Sequence, residues 1–195
     1  MENNTELQNL AASFPDESGA FIEYVSALPG YPDTDRRASM ERRNQPTELN
    51  YRPEGNANIP FEESDMRGLQ VRQPFTGANG ENMLIFHLPS LGYEALIFKF
   101  AAMDEGAATA IQLDYSVQSG EPEWITDGLS PAQINQSLAT DEYRLYELNL
   151  ANIPEANDNP DLKIRLRFVT PDGDADDGNR VTFNNFSLDG TETEA

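Results

Sequence analysis

The chain has 195 residues, 38% of them apolar, enough to bury the core of one large β-domain and too rich in Phe, Tyr, Leu and Ile for general disorder. Its 34 acidic residues against 13 basic ones give a net charge of -21, which repels phosphate backbones and anionic lipid and argues against nucleic acid as a partner. The absence of cysteine excludes disulfides, thiolate metal sites and thiol catalysis. No apolar run approaches the roughly 18 residues of a membrane helix, so membrane insertion is not expected, and "MENNTELQ" is too acidic and polar for a secretory signal.

In chain order, "GAFIEYVSAL" and "GLQVRQPF" read as strands, and "ELNYRP" as an edge strand stopped by its proline. "DTDRRASMERRNQ" reads as a short helix or an exposed polar loop. "NMLIFHLP" and "ALIFKFAA" are apolar on both parities, as strands covered on two sides should be. In "AIQLDYSVQ", Ile111, Leu113, Tyr115 and Val117 share one face while Gln112, Asp114, Ser116 and Gln118 share the other. "SPAQINQSL" predicts a short helix with Ser130 as its cap and Pro131 at the first helical position. "YRLYELNL" is the next strand. "KIRLRFV" follows it, alternating Ile164, Leu166 and Phe168 with Lys163, Arg165 and Arg167.

The closing stretch "NRVTFNNFSLDG" changes step, because Val181 and Phe183 differ in parity from Phe186 and Leu188. A β-bulge at Asn184-Asn185 adds one residue and brings all four to one buried side; the alternative is a regular strand covered on both faces. Strands joined without long helices predict antiparallel pairing. The fold class is therefore an all-β, antiparallel two-sheet β-sandwich of jelly-roll type, with one or two short helices. Ile111, Leu113, Phe98, Phe100, Leu166, Phe168, Phe183 and Leu188 are its expected core. One domain over residues 7–190 is expected, with 1–6 and 191–195 as linker remnants.

The series "LPSLGYEALIFKFA", "LDYS", a lone tryptophan in "EW", "NDNPDLKIRLRF" and "GNRVTFNNFSLDG" resembles a recurrent jelly-roll domain of exported multidomain proteins in bacteria that use type IX secretion. The resemblance covers residues 66–190. It implies a noncatalytic accessory module, similar to carbohydrate-binding modules, secreted or at the cell surface, attached to further domains and with polysaccharide as its partner. A structural or adhesin spacer domain with no small ligand is the alternative.

For a sugar ligand the useful side chains are aromatic rings offering a flat apolar face beside polar groups. Trp124, in the polar loop "SGEPEWITDG", heads the candidates, with Tyr93, Tyr115 and Tyr143, although the only tryptophan of a sandwich is most often a core or core-edge residue. Tyr143 and Tyr146 lie on opposite parities, so at most one of them is core. Asp172, Asp174, Asp176 and Asp177 in "PDGDADDG" are hard oxygen ligands suited to a structural Ca2+. The loop is not an EF-hand, because Asp177 stands where the glycine belongs and Phe183 where the bidentate glutamate belongs; a solvated acidic turn is the plainer reading. Arg36, Arg37, Arg42 and Arg43 form a cluster that could bind an anionic glycan or pair with the neighbouring Asp33, Asp35 and Glu41, the second being the commoner case. The single histidine, His87, cannot build a multi-histidine metal centre. With no nucleophile elbow, phosphate loop or zinc-protease motif, the chain does not read as an enzyme.

Overall fold

The computed structural model describes residues 4–9, 21–24, 38–43, 47–50, 68–73, 75–77, 80–169 and 178–193. Along the chain run β1 (Asn4–Asn9), β2 (Phe21–Tyr24), β3 (Ala38–Arg43), β4 (Thr47–Asn50), β5 (Gly68–Arg72), β6 (Thr76–Gly77), β7 (Gly80–Glu81) and β8 (Met83–His87). They are followed by β9 (Tyr93–Glu105), β10 (Ala110–Ser116), α1 (Pro131–Ile134), β11 (Asn135–Ser137), β12 (Arg144–Asn149), a 3-10 turn (Pro154–Ala156), β13 (Lys163–Val169) and β14 (Arg180–Glu192). All ladders between these strands are antiparallel. The first sheet has the order β12-β9-β14-β5-β4, and the second β11-β10-β13-β8-β3-β2. This is the all-β sandwich that the alternating strands predict.

The long strand β14 organises the first sheet. One of its edges pairs with β9, and the other is shared in tandem by β5, opposite Arg180 to Phe183, and β1, opposite Ser187 to Thr191. Between Asn184 and Ser187 the strand advances three residues while β9 advances only from Ala101 to Lys99. The extra residue is the predicted bulge, and it carries Val181, Phe183, Phe186 and Leu188 into one core. The Phe183 and Phe186 rings, of opposite parity in sequence, stack 5.7 Å apart. The other face of β14 is covered too, since Thr182 and Ser187 are also buried. β9 carries a second bulge: Glu94 and Ile97 oppose Thr191 and Asp189, and Ala95 between them takes a left-handed φ of 54°.

Between the sheets lie Phe86, Phe98, Phe100, Phe168, Phe183 and Phe186 with the aliphatic residues of β8, β9, β10 and β13, including all eight expected core residues. Phe168 stacks on Phe75 with centroids 4.3 Å apart. Rings at such spacing gain about 0.5–1.5 kcal/mol beyond burial.

Local signals also hold. Ser130 caps α1, with its side chain accepting from the Gln133 backbone and Gln133 reaching back to the Ser130 N–H, and Pro131 opens the helix. α1 and β11 also close an edge: Gln136 Nε2 donates to the Glu147 carbonyl at 2.9 Å and Gln133 Nε2 to that of Asn149 at 3.0 Å. These outer carbonyls of β12 would otherwise be open to another strand.

Two readings are corrected. Residues 38–43 form neither helix nor loop but β3, paired on one side with β2 and on the other with β8. Two flanking ladders outweigh the helical propensity of a polar, charged segment. The sequence reads residues 1–6 as a linker remnant, yet residues 4–9 are β1, held by ladder bonds to β14. The pairing needs backbone only, so the side-chain pattern of "NTELQN" does not reveal it.

Candidate functional site: the outer face of the second sheet

The residues of β13 that alternate with Ile164, Leu166 and Phe168 face away from the core. Across the ladder, Gln112 opposes Arg167, Asp114 opposes Arg165, and Ser116 opposes Lys163. Two alternating strands in register thus lay acceptors against cations. Arg165 grips Asp114 bidentately, Nε to Oδ1 at 2.9 Å and Nη2 to Oδ2 at 2.5 Å. Arg167 donates Nη2 to Gln112 Oε1 at 3.1 Å and holds Nη1 3.8 Å from Glu81. Lys163 Nζ donates to the carbonyls of Gln118 and Asp161 at 2.8 and 3.1 Å.

The segment after β10 brings Trp124 onto this face. Tyr115 and Ile125 exchange both backbone hydrogen bonds, at 3.0 and 2.9 Å, which fastens the loop to the edge of β10. Ile125 packs against the core, and Trp124, its neighbour, turns the other way. The Arg165 guanidinium carbon sits 4.6 Å from the indole centroid, a cation–π contact. The indole remains partly exposed. Gln118 Nε2 to Glu123 Oε2 at 2.8 Å and the Tyr115 hydroxyl to the Asp127 carbonyl at 2.8 Å brace the same loop. One indole, one guanidinium and one carboxylate thus meet on this face, the guanidinium against the indole ring and Asp114 only 7% exposed.

The other aromatic candidates do not join Trp124. Tyr93 is 1% exposed and belongs to the core, as the first residue of β9, where its N–H closes the turn from Ser90 at 2.9 Å. Tyr115 is 3% exposed, with its ring inside and only its hydroxyl reaching the Trp124 loop. Neither offers a ring face to solvent. Burial pushes the Tyr115 hydroxyl pKa up, and the charges of Asp127 and Glu155 add to this. Tyr143 is half-buried and precedes Arg144, which opposes Ala102 on β9 in the other sheet. Tyr146 is the core member of that pair; its hydroxyl accepts the Ala139 N–H at 2.9 Å.

Asp172, Asp174, Asp176 and Asp177 lie outside the described residues, as do Arg36 and Arg37. Among the described residues no three His, Cys, Asp or Glu side chains group as a metal site. Arg42 and Arg43 stand in β3 opposite Leu84 and Met83. His87, opposite Lys163 on one side and Ser39 on the other, is half-buried and engaged. No described helix is long and apolar enough to cross a membrane.

The structure brings Trp124, a candidate from the sequence, together with Asp114 and Arg165, which the sequence did not single out as site residues. The signal was present in outward parities of opposite charge on "QLDYS" and "KIRLRF", but only the register shows that they meet.

No protein-family model and no curated protein matches the chain. Solved structures resemble it at low identity. A xylan-binding domain from Paenibacillus barcinonensis has 14% identity and a TM-score of 0.47 over 79% of this chain and 91% of that one. A xylanase fragment from Clostridium thermocellum, with a binding and a catalytic module, has 11% identity and a TM-score of 0.46 over 80% of this chain. An enzymatically active tailspike domain of bacteriophage CBA120 has 9% identity and a TM-score of 0.46 over 77% of this chain. The chain spans only 26% of the xylanase fragment and 19% of the tailspike domain. At these scores the likenesses assign no residue and no ligand here.

Proposed function

We propose that the chain is a noncatalytic module of an exported or cell-surface protein that binds polysaccharide through the outer face of the second sheet. The observation carrying this reading is the clipped Trp124 loop, which holds a partly exposed indole over the Arg165–Asp114 pair. A sugar ring has an apolar face that stacks on an indole and hydroxyls around its rim that need donors and acceptors beside that indole. The patch supplies both, already ordered, so little rotamer entropy is lost on binding. The resemblance to domains of type IX-exported proteins supports export.

The spacer reading is favoured by one observation: Tyr93 and Tyr115 are core residues and Tyr143 belongs with the other sheet, which leaves Trp124 as the one candidate ring on this face. A glycan array with the chain and its Trp124→Ala variant, each with and without calcium, separates the two. The module reading predicts signals that vanish in the variant; a spacer gives none with either protein. Calcium at Asp172, Asp174, Asp176 and Asp177 is a separate proposal. At a hundredfold its dissociation constant the ion stabilises by about 2.7 kcal/mol, so calcium should raise the melting temperature by several degrees. If EDTA and added calcium both leave it unmoved, the loop is a solvated turn.

A further inference from the structure

Resting on that reading of the Trp124 face, we propose that the ligand is an uncharged polysaccharide and that Asp114 sets this selectivity by cancelling Arg165. β13 aligns Lys163, Arg165 and Arg167 on one face, with successive Cα atoms about 7 Å apart. Left alone, such a row would be a site for a polyanion. It is not left alone.

The Arg165 charge is met by both carboxylate oxygens of Asp114. Arg167 is held by Gln112 and flanked by Glu81. Lys163 is 8% exposed and directs its ammonium to two carbonyls. Among the described side chains of this face, Arg165 alone is hydrogen-bonded to a carboxylate; Arg167 has Glu81 at 3.8 Å and leaves its Nε without a partner, and Lys163 is turned to neutral carbonyls. The surrounding chain, at -21, adds a repulsive field for any polyanion approaching it.

What the patch retains for a ligand is mixed in sense. The Asp114 carboxylate keeps lone pairs beyond its two bonds, and among the described residues Arg165 Nη1 donates to none. Acceptor and donor therefore lie side by side at the indole. A hydroxyl donates and accepts at once and suits such a pair, whereas a carboxylate or sulfate only accepts and would face Asp114 unfavourably. The internal ion pair acts as a charge filter.

Gel retardation in immobilised polymers tests this, with arabinoxylan, mixed-linkage glucan, mannan and galactan against alginate, polygalacturonate and heparin. The expected result is retardation by at least one uncharged polymer. Without counterion release it should change by less than about twofold between about 50 and about 500 mM NaCl. Asp114→Asn keeps the shape but frees the Arg165 charge. It should bind alginate at least about tenfold more strongly than the parent at low salt, with the gain lost at high salt. Glu81→Gln, which unmasks Arg167 from a more exposed position, should gain in the same direction and serves if Asp114→Asn does not fold. Preference of the unmodified chain for alginate, polygalacturonate or heparin would overturn the inference while leaving the site standing. So would a folded Asp114→Asn or Glu81→Gln that gains nothing. Retardation by none of the seven polymers would overturn the site reading and the inference with it.

Discussion

β13 has two faces, and they are built on different principles. Inward, Ile164, Leu166 and Phe168 sit in a core where contacts are non-directional and the gain follows the area removed from water. Outward, Lys163, Arg165 and Arg167 are fixed by aimed hydrogen bonds whose partners lie one strand away or in the adjoining loops. The inner face stabilises the fold. The outer face holds its charged groups in a fixed arrangement.

The comparison breaks most visibly under truncation. Leu166→Ala should destabilise by about 2–5 kcal/mol in chemical denaturation, the usual range for a fully buried Leu. Asp114→Ala should cost less, about 1–3 kcal/mol, because it leaves the Arg165 guanidinium short of two bonds at a site water can partly reach. The double variant Asp114→Ala, Arg165→Ala should cost less than the sum of its singles, since the second change removes the group the first left unpaired. Additive losses would mean that the pair is not coupled and the outer face is ordinary solvated surface.

A smaller effect sharpens the boundary between the faces. Tyr115 has its ring inside and its hydroxyl among the outer-loop groups, and its pKa lies above the ordinary 10.0 through burial, with Asp127 and Glu155 adding to the rise. Tyr146 is raised as well, chiefly by burial. With folded values above unfolded ones, the stability contributed is full below about pH 10 and is lost as pH rises through the raised values. The melting temperature should therefore fall above about pH 10, and less steeply in Tyr115→Phe. Equal slopes would place the Tyr115 hydroxyl in solvent.

The inner face was legible in the sequence because burial imposes a period of two, which needs no knowledge of partners. Even the parity break in β14 could be read, since four apolar residues admit few arrangements and Asn184-Asn185 marks where the extra residue goes. The outer face was not legible in that way. Asp114 and Arg165 are 51 positions apart and meet only through the β10–β13 register, which their own pattern does not encode. Tyr93 and Tyr115 were ligand candidates because an aromatic ring offers a flat apolar face; each is in fact a core ring, as the shared parity of Tyr115 with Ile111 and Leu113 already implied. β1 and β3 escaped because backbone ladders, not side-chain patterning, hold polar strands in a sheet.

Trp124 is the only tryptophan of the chain, so its fluorescence reports on the proposed site alone. The most direct measurement is an emission titration with each polysaccharide that retards the chain in a gel. Stacking a sugar on the indole removes water from it, and the account predicts a saturable blue shift whose midpoint tracks the affinity found by retardation. A polysaccharide that binds while the emission stays unchanged would place its site elsewhere and contradict the account.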